Sequence, residues 1–584
     1  MDVKRIFDIP FYQLQHYPTD DCLVDKREGK WIKTSTKQFI DQSNKFSIGL
    51  LKLGVRKDDK IAIISNNRSE WNIVDIGILQ IGAIDVPIYP TASIDDYTFI
   101  FNHAEIKLCF VSDCELYEKV MSIKDKVPGL KEIYAFNSIA GCKHWTEVID
   151  AGENGDIKEV EQIKTNIQET DLATLIYTSG TTGTPKGVML SHRNLVSNAI
   201  ACIPRLPVDH TAKSLSFLPV CHVYERMILY LYLLRGVSIY FAENMDTIGD
   251  NLKEIHPEIF TAVPRLLEKV YDKIVTKGTE LKGIKKNLFF WALNLGHKYE
   301  LSGKSTFYNL QLALARKIIF SKWQEALGGK VQAIASGSAA LQPRLARVFN
   351  AAGIPVYEGY GLTETSPVVA VNAKSTGMMF GTVGKPLENV EVRIAEDGEI
   401  LVKGPNVMQG YFKRQDLTDE VMDGEWLHTG DIGKFMEDNF LKITDRKKEI
   451  FKTSGGKYIA PQPIENKLKE SKFIEQILVI GEGEKHPAAL IVPAFDFLKE
   501  WCARKNINIS CIEEMINDQS VIERIKREVD SCNENLGHWE QIKKFELLPE
   551  EWTIENGELT PTLKLKRKVI IQKYQSYVHK IYKQ

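Results

Sequence analysis

Nine cysteines are scattered through 584 residues without a CxxC pair or any metal-binding spacing. That argues against a zinc module or a disulfide framework and fits reduced thiols in a cytosolic setting. An excess of one charge sign is also missing: 75 Lys and Arg face 77 Asp and Glu, a net charge of -2. Bulk charge therefore points to no nucleic-acid partner. The opening "MDVKRIFDIPFYQLQ" lacks a long apolar core and a small-residue cleavage site, so a secretory signal is not expected. The most apolar run, "MILYLYLLRGVSIYF" at 227–241, is interrupted by Arg235 and follows His222, Glu225 and Arg226. It is too short and too charged to span a bilayer and reads as a buried helix running into a strand. No repeat, low-complexity tract, Ser-His-Asp set or Cys-His set is apparent.

What is present is ordinary globular composition, 43% hydrophobic and 26% charged, in a chain long enough for several domains. "KIAIIS" (60–65), "KLCFVS" (107–112), "ATLIYTS" (173–179) and "VSIYFA" (237–242) read as buried strands. Segments such as 36–53 and 190–203 have helical spacing. The alternation predicts an α/β protein with mostly parallel sheet. After about residue 381 the texture changes, and "VEVRIAEDGEILVKGPNVMQGYF" predicts a small β subdomain. The charged, glycine-broken "DRKKEIFKTSGGKYIAP" (445–461) reads as a linker. A compact α/β segment follows, with "ILVIG" and "AALIVP" as strands.

Between "ATLIYTS" and the helix expected over "LSHRNLVSNAI" lies "SGTTGTPKG", read as a loop from strand to helix. Its glycines permit close backbone approach to a ligand. Its backbone N–H groups and hydroxyls, with Lys186 as a point charge, suit phosphate oxygens. It is not a Walker A loop: Pro185 and Gly187 stand where GxxxxGK[ST] needs glycine and a hydroxyl. The alternative is a solvated turn.

"YTSGTTGTPKGVMLSH" resembles the signature of the AMP-forming acyl-adenylate enzymes. "FLPVCHVYER" (217–226), "ASGSAAL" (335–341), "YEGYGLTETSP" (357–367), "WLHTGDIG" (426–433), "ITDRKKEIFKTSGGKYIAP" (443–461) and "NGELTPTLKLKRKVI" (556–570) follow in the family's order. "VPRLLEKV" (263–270), "DRKKE" and "LTPTLKLKRK" are most similar to the long-chain fatty acid–CoA ligases. The resemblance implies a large N-terminal domain, 1–445, of two α/β subdomains and a small β subdomain. A small mobile α+β domain, 446–584, would follow. It also implies a reaction in two steps. A carboxylate attacks the α-phosphate of ATP to give acyl-AMP and pyrophosphate, and the CoA thiol then displaces AMP. Both steps need alignment and charge neutralisation rather than a protein nucleophile.

The resemblance assigns ATP contacts to Thr178, Ser179, Gly180, Thr181, Thr182, Gly183 and Lys186, and to the small residues Gly337 and Ser338. In Gly359-Tyr360-Gly361, Tyr360 offers an aromatic face for adenine. Thr363 donates to a phosphate oxygen, and Glu364 holds Mg²⁺, a hard cation that takes carboxylate and phosphate oxygens. Asp431 accepts from the ribose hydroxyls, and Arg446 reaches the same sugar. His222 lines the carboxylate end of the acyl pocket; a packed core histidine is the alternative. Lys564 is the adenylation lysine, with Leu563 where many relatives carry glycine. Ser454, Gly455, Gly456 and Lys457 serve the CoA step, and Lys448 is the hinge.

A fatty chain needs an apolar tunnel, and eight extra carbons at about 0.8 kcal/mol each add at most about 6 kcal/mol. The run at 227–241, "VPRLLEKV" and "NLFFWALNLG" (287–296) can line it or be plain core. Lys282, Lys285, Lys286 and Lys298 flank those aromatics, a composition suited to peripheral contact at the cytoplasmic face of a membrane. Rival readings are an enzyme loading a carrier protein, a luciferase-like oxidase and a non-catalytic binding module. Oligomeric state and chain length are not legible.

Overall fold

The computed structural model describes residues 2–179, 184–534, 536–554, 556–560 and 564–583. The chain divides into two compact units. The first gathers Met1–Val392, Val402–Leu427 and Glu437–Leu441; the second gathers Arg393–Leu401, His428–Met436 and Lys442–Gln584.

The first unit holds two large sheets. In one, the strands Val356–Gly361, Ala333–Ser336, Ile259–Ala262, Lys213–Ser216, Ser238–Phe241 and Leu23–Arg27 lie side by side and parallel. Antiparallel strands flank them at both ends. In the other, Leu172–Ser179, Ile84–Pro87, Lys60–Ile64, Ile106–Val111, Glu132–Ala135 and Lys143–His144 are parallel. Their near-continuous Ile, Val and Leu content suits strands covered on both faces. The α/β reading is borne out, and the apolar run at 227–241 is the helix Val223–Arg235 followed by the strand Ser238–Phe241.

The glycine loop differs from its sequence reading. Pro185–Ser191 is a strand, antiparallel to Leu172–Ser179, with Thr178 opposite Lys186. The strands before and after residues 180–183 therefore pair with each other, and the helix His192–Cys202 begins only after the second. Val188 and Leu190 alternate inward with 0% exposure, a period of two that outweighs the helical pattern read further along.

One guanidinium ties this unit together. Arg226 donates to Asp75 (2.6 Å), Asp85 (3.2 Å), Thr174 (2.8 Å) and Tyr230 (2.7 Å). It lies 5.3 Å from the Trp71 ring. Tyr230 in turn donates to Asp75 at 2.5 Å. Arg226, Asp75 and Asp85 are fully enclosed. Burial, with Asp75 beside it, holds the Asp85 carboxyl well above the usual carboxylate range against the pull of Arg226.

The second unit has its own core. Ile474–Ile480 and Ala488–Pro493 pair antiparallel, and Lys544–Leu547 adds in parallel. Ile477, Leu490, Ile491, Val521 and Ile525 have 0% exposure. The segment read as a linker is ordered: Phe451–Lys452 and Tyr458–Ile459 form a hairpin. Phe451 and Ile459 are buried, and the glycines serve its turn. The small β structure expected after 381 is present. Its strands are Glu391–Ile394, Glu399–Lys403, Met422–Asp423, Trp426–Phe435 and Leu441–Arg446 in chain order.

Candidate active site

In the first unit the hairpin register carries Thr178 and Lys186 on one face, and Tyr177 and Gly187 on the other. A Cβ on Gly187 would come 3.0 Å from the Tyr177 ring. The Lys186 ammonium lies 5.1 Å from the centroid of Tyr411, and the Tyr411 hydroxyl donates to Glu364 Oε1 at 2.8 Å. One tyrosine thus bridges a cation and a carboxylate that are 178 positions apart in the chain. Burial and the adjacent Glu364 raise the Tyr411 hydroxyl pKa, so it stays a donor. Gly180, Thr181, Thr182 and Gly183, four of the predicted phosphate contacts, lie outside the described residues.

Glu364 sits in the short 3-10 turn Thr363–Thr365, just after the strand Val356–Gly361. The turn is pinned from several sides. Met408 N–H donates to the Glu364 carbonyl (2.9 Å), Asn406 to the Thr365 carbonyl (2.8 Å), and Asn198 to the Val368 carbonyl (2.7 Å). Thr363 is buried, while Gly359, Tyr360 and Gly361 are half-buried. A Cβ on Gly361 would stand 1.8 Å from the Pro367 carbonyl oxygen, so only glycine fits. Among the described residues no group of three or more His, Cys, Asp or Glu forms a metal cage. A lone carboxylate fixed by a tyrosine suits a Mg²⁺ that arrives on phosphate oxygens, since that ion keeps water and phosphate ligands.

His222 is half-buried and is the N-cap of Val223–Arg235, its Nδ1 accepting from Tyr224 N–H at 3.3 Å. A neutral imidazole accepting there carries its proton on Nε2. The Tyr224 ring meets Gly337, where a Cβ would sit 3.4 Å from it and 3.7 Å from the Gly359 carbonyl. Ser338 has φ +71°. Tyr224, two residues after His222, thus packs its ring on Gly337, and the Gly359 carbonyl lies beside Gly337. Behind them Glu358 is buried, accepts Leu341 N–H at 2.9 Å, and is pushed up to about 8 by burial.

In the second unit Asp431, 4% exposed, and Arg446 form an ion pair at 3.2 Å. Lys448 is exposed in the turn after Leu441–Arg446. Lys447 beside it is bound to Asp397 (2.6 Å) and Glu399 (2.8 Å). Burial, then Glu449 and Glu465, push Asp445 up to about 7. Ser454 to Lys457 form the hairpin turn, with Gly456 at φ +78° and Ser454 N–H donating to the Glu484 carbonyl at 2.8 Å. The Lys457 ammonium lies 5.4 Å from the Trp539 ring, itself half exposed. Lys564 is tied to Thr560 by two hydrogen bonds: its N–H donates to Thr560 Oγ1 (3.0 Å), and Thr560 N–H donates to its carbonyl (2.8 Å). Leu563 beside it lies outside the described residues.

Tyr411, Asn406, Tyr224 and Trp539 were not singled out from sequence. "NVMQGYF" and "FLPVCHVYER" carry the first three inside or beside recognised motifs. Only folding shows which atoms they touch.

The AMP-binding enzyme family matches residues 11–412, and the AMP-binding enzyme C-terminal domain matches 448–584. The long-chain-fatty-acid–CoA ligase FadD15 of Mycobacterium bovis is 34% identical over 95% of this chain and 93% of its own. Long-chain-fatty-acid–CoA ligase 1 of Homo sapiens is 32% identical over 96% and 84%. Among solved structures, the adenylation domain of a Mycobacterium chelonae carboxylate reductase aligns with TM-score 0.75 at 19% identity, over 100% of this chain and 92% of that one. The o-succinylbenzoate CoA synthetase of Bacillus subtilis, bound to ATP and magnesium, aligns with TM-score 0.67 at 20% identity, over 96% and 98%. The chain belongs to the AMP-binding enzyme family, as its motifs indicate.

Proposed function

We propose that this protein is an AMP-forming long-chain fatty acid–CoA ligase. It joins a fatty acid to ATP as acyl-AMP, then passes the acyl group to CoA with release of AMP. The observation that carries the reading is the Lys186–Tyr411–Glu364 arrangement, a cation and a carboxylate held at fixed spacing beside the glycine hairpin. The names of relatives at 32–34% identity support the long-chain acid. Preorganised charge of this kind stabilises a phosphoryl transition state without a nucleophile.

Lys186 and the loop 178–183 meet the phosphates, with Thr363 donating beside them. Glu364, with phosphate oxygens, would hold Mg²⁺, which neutralises phosphate charge. Tyr360, with Gly359 and Gly361 allowing close approach, takes the adenine; Asp431 and Arg446 take the ribose. His222, Gly337 and Ser338 border the acyl carboxylate. Lys564 serves adenylation, and Ser454, Gly455, Gly456 and Lys457 admit the pantetheine arm. One lysine cannot occupy the phosphates while that arm enters the same space, so the domain from 446 onward turns about Lys448 between steps. Contact with the cytoplasmic face of a membrane belongs to the same reading, because the acid is lipid-soluble.

A pyrophosphate-release screen over short, long and aromatic acids, with and without CoA, tests the assignment. Acids of about twelve to eighteen carbons are expected to give the highest kcat/KM, since each buried CH₂ adds about 0.8 kcal/mol. The highest value for acetate or an aromatic acid would overturn it. The two halves are separable. Lys564→Ala should slow acyl-AMP formation by on the order of 10² yet convert supplied acyl-AMP to acyl-CoA. Lys448→Pro, which fixes φ, should keep the first half and lose the second. Equal damage to both halves in both variants refutes the alternation.

A further inference from the structure

The helix Thr306–Ala315 reads "TFYNLQLALA" and contains no charged residue. Its inner face is satisfied. Leu312 and Ala315 are buried and Tyr308 packs against the same core, its hydroxyl donating to the Leu295 carbonyl at 2.7 Å. Its outer face carries Phe307, Leu310 and Leu314, which are 68%, 71% and 53% exposed. The spacing i, i+3, i+7 makes one continuous stripe. On the helix Gly283–His297, which packs against it, Ile284 is 77% exposed, Leu288 37%, and Leu301 beyond its end 41%. Singly exposed apolar residues are common; a whole helix face of them is not.

Charge says what covers it. Between 282 and 322 the chain has eight Lys and Arg but a single acid, Glu300, and Glu300 is paired with Arg347 at 2.9 Å. Lys282, Lys285, Lys298, Lys317 and Lys322 are all exposed. A protein partner or a second copy of this chain would have to bring a matching acidic rim. An anionic lipid surface supplies one without shape complementarity, and takes apolar side chains below it. The run "TFYNLQLALA" is far too short to cross a bilayer, and among the described residues no helix is long and apolar enough to do so.

We propose that the outer face of Thr306–Ala315, with the lysines flanking it and the neighbouring helix, docks this protein on anionic membranes. The insertion is interfacial: Phe307, Leu310 and Leu314 enter the acyl boundary while the lysines stay at the headgroups. This gives the membrane contact of the proposed ligase a location, but the surface exists whether or not that activity is right.

Flotation of the full chain with vesicles tests it. One set is phosphatidylcholine alone, the other an equal mixture with phosphatidylglycerol. The wild type should float with the mixed vesicles, at low salt more than at high. Phe307→Ser/Leu310→Ser should lower that partition by on the order of 10². Both positions are solvent-facing, so fold is little affected. Lys285→Gln/Lys298→Gln should lower it by about tenfold or more and remove part of the salt dependence. Failure of the wild type to float, equal flotation on phosphatidylcholine alone, or unchanged flotation of the serine variant each overturns the proposal. Self-association of the wild type that the serine variant abolishes, without vesicle binding, would assign the face to a second copy instead. Acyl-AMP formation from soluble acid is read in parallel. Its loss in the wild type sinks the ligase assignment and leaves the docking result standing.

Discussion

Replacing Arg226 by methionine removes the cation at the centre of a fully buried network. The guanidinium sits at 0% exposure and joins the helices Ser69–Gln80 and Val223–Arg235 to the strands Ile84–Pro87 and Leu172–Ser179. Removing it takes the cation from two carboxyls, Asp75 at 2.6 Å and Asp85 at 3.2 Å, which keep the Tyr230 and Thr174 hydroxyls as donors. Breaking a buried ion pair from one side costs about 3–5 kcal/mol, because a charge is left without compensation. Asp85→Asn should behave differently. Burial raises the Asp85 carboxyl well above its ordinary range, so its negative charge contributes less than that of Asp75, and an amide keeps its shape and an acceptor. That change should cost about 1 kcal/mol or less. A third variant, Arg226→Met/Asp75→Asn, removes both members of the shortest pair. Its cost should fall below the sum of the two single changes, the sign of direct coupling. Urea unfolding followed by tryptophan fluorescence, with unchanged m, measures the wild type, these three variants and Asp75→Asn alone. A cost below about 1 kcal/mol for Arg226→Met, or equal costs for Arg226→Met and Asp85→Asn, would refute the charge accounting.

Glu225 is buried between Ser216 (2.6 Å) and Thr261 (2.5 Å), and burial pushes its carboxyl up to about 7 from 4.5. A raised folded-state value adds stability that is complete below pH ~4.5 and is lost as pH climbs through ~7, about 3 kcal/mol in all. In thermal melts Glu225→Gln should therefore gain on the wild type from pH 5 to pH 8; a constant gap would refute this. Tyr411→Phe keeps the ring beside Lys186 but removes the 2.8 Å hydrogen bond to Glu364. In a Mg²⁺ titration of pyrophosphate release it should raise the Mg²⁺ requirement and slow adenylation about tenfold; an unchanged titration would show that this bond positions nothing. Gly361→Ala places a Cβ 1.8 Å from the Pro367 carbonyl oxygen and should abolish adenylation. Gly249→Ala, in a helix with open space around it, should gain about 0.5–1 kcal/mol.

The sequence by itself determined the family, the α/β alternation and the order of the motifs. Each of those is local: a strand declares itself in six residues such as "KIAIIS", and a motif in ten. It also placed the segment 445–461 apart from its surroundings, but could not tell a linker from a hairpin. That choice depends on Phe451 and Ile459 finding a core contributed by residues 464–581. The glycine loop was misjudged for the same reason. Whether "PKG" ends a loop that leads into a helix or opens a strand that pairs with "LIYTS" is decided by the partner strand, whose register sets Thr178 opposite Lys186. Tertiary structure alone decided that Tyr411 stands between Lys186 and Glu364, and that Arg226 answers two aspartates some 140 to 150 residues away. It alone showed that one face of Thr306–Ala315 has no protein to cover it among the described residues. Composition marks a residue as polar or apolar. Which atoms meet it, and whether water is excluded, follows only once distant segments close on one another.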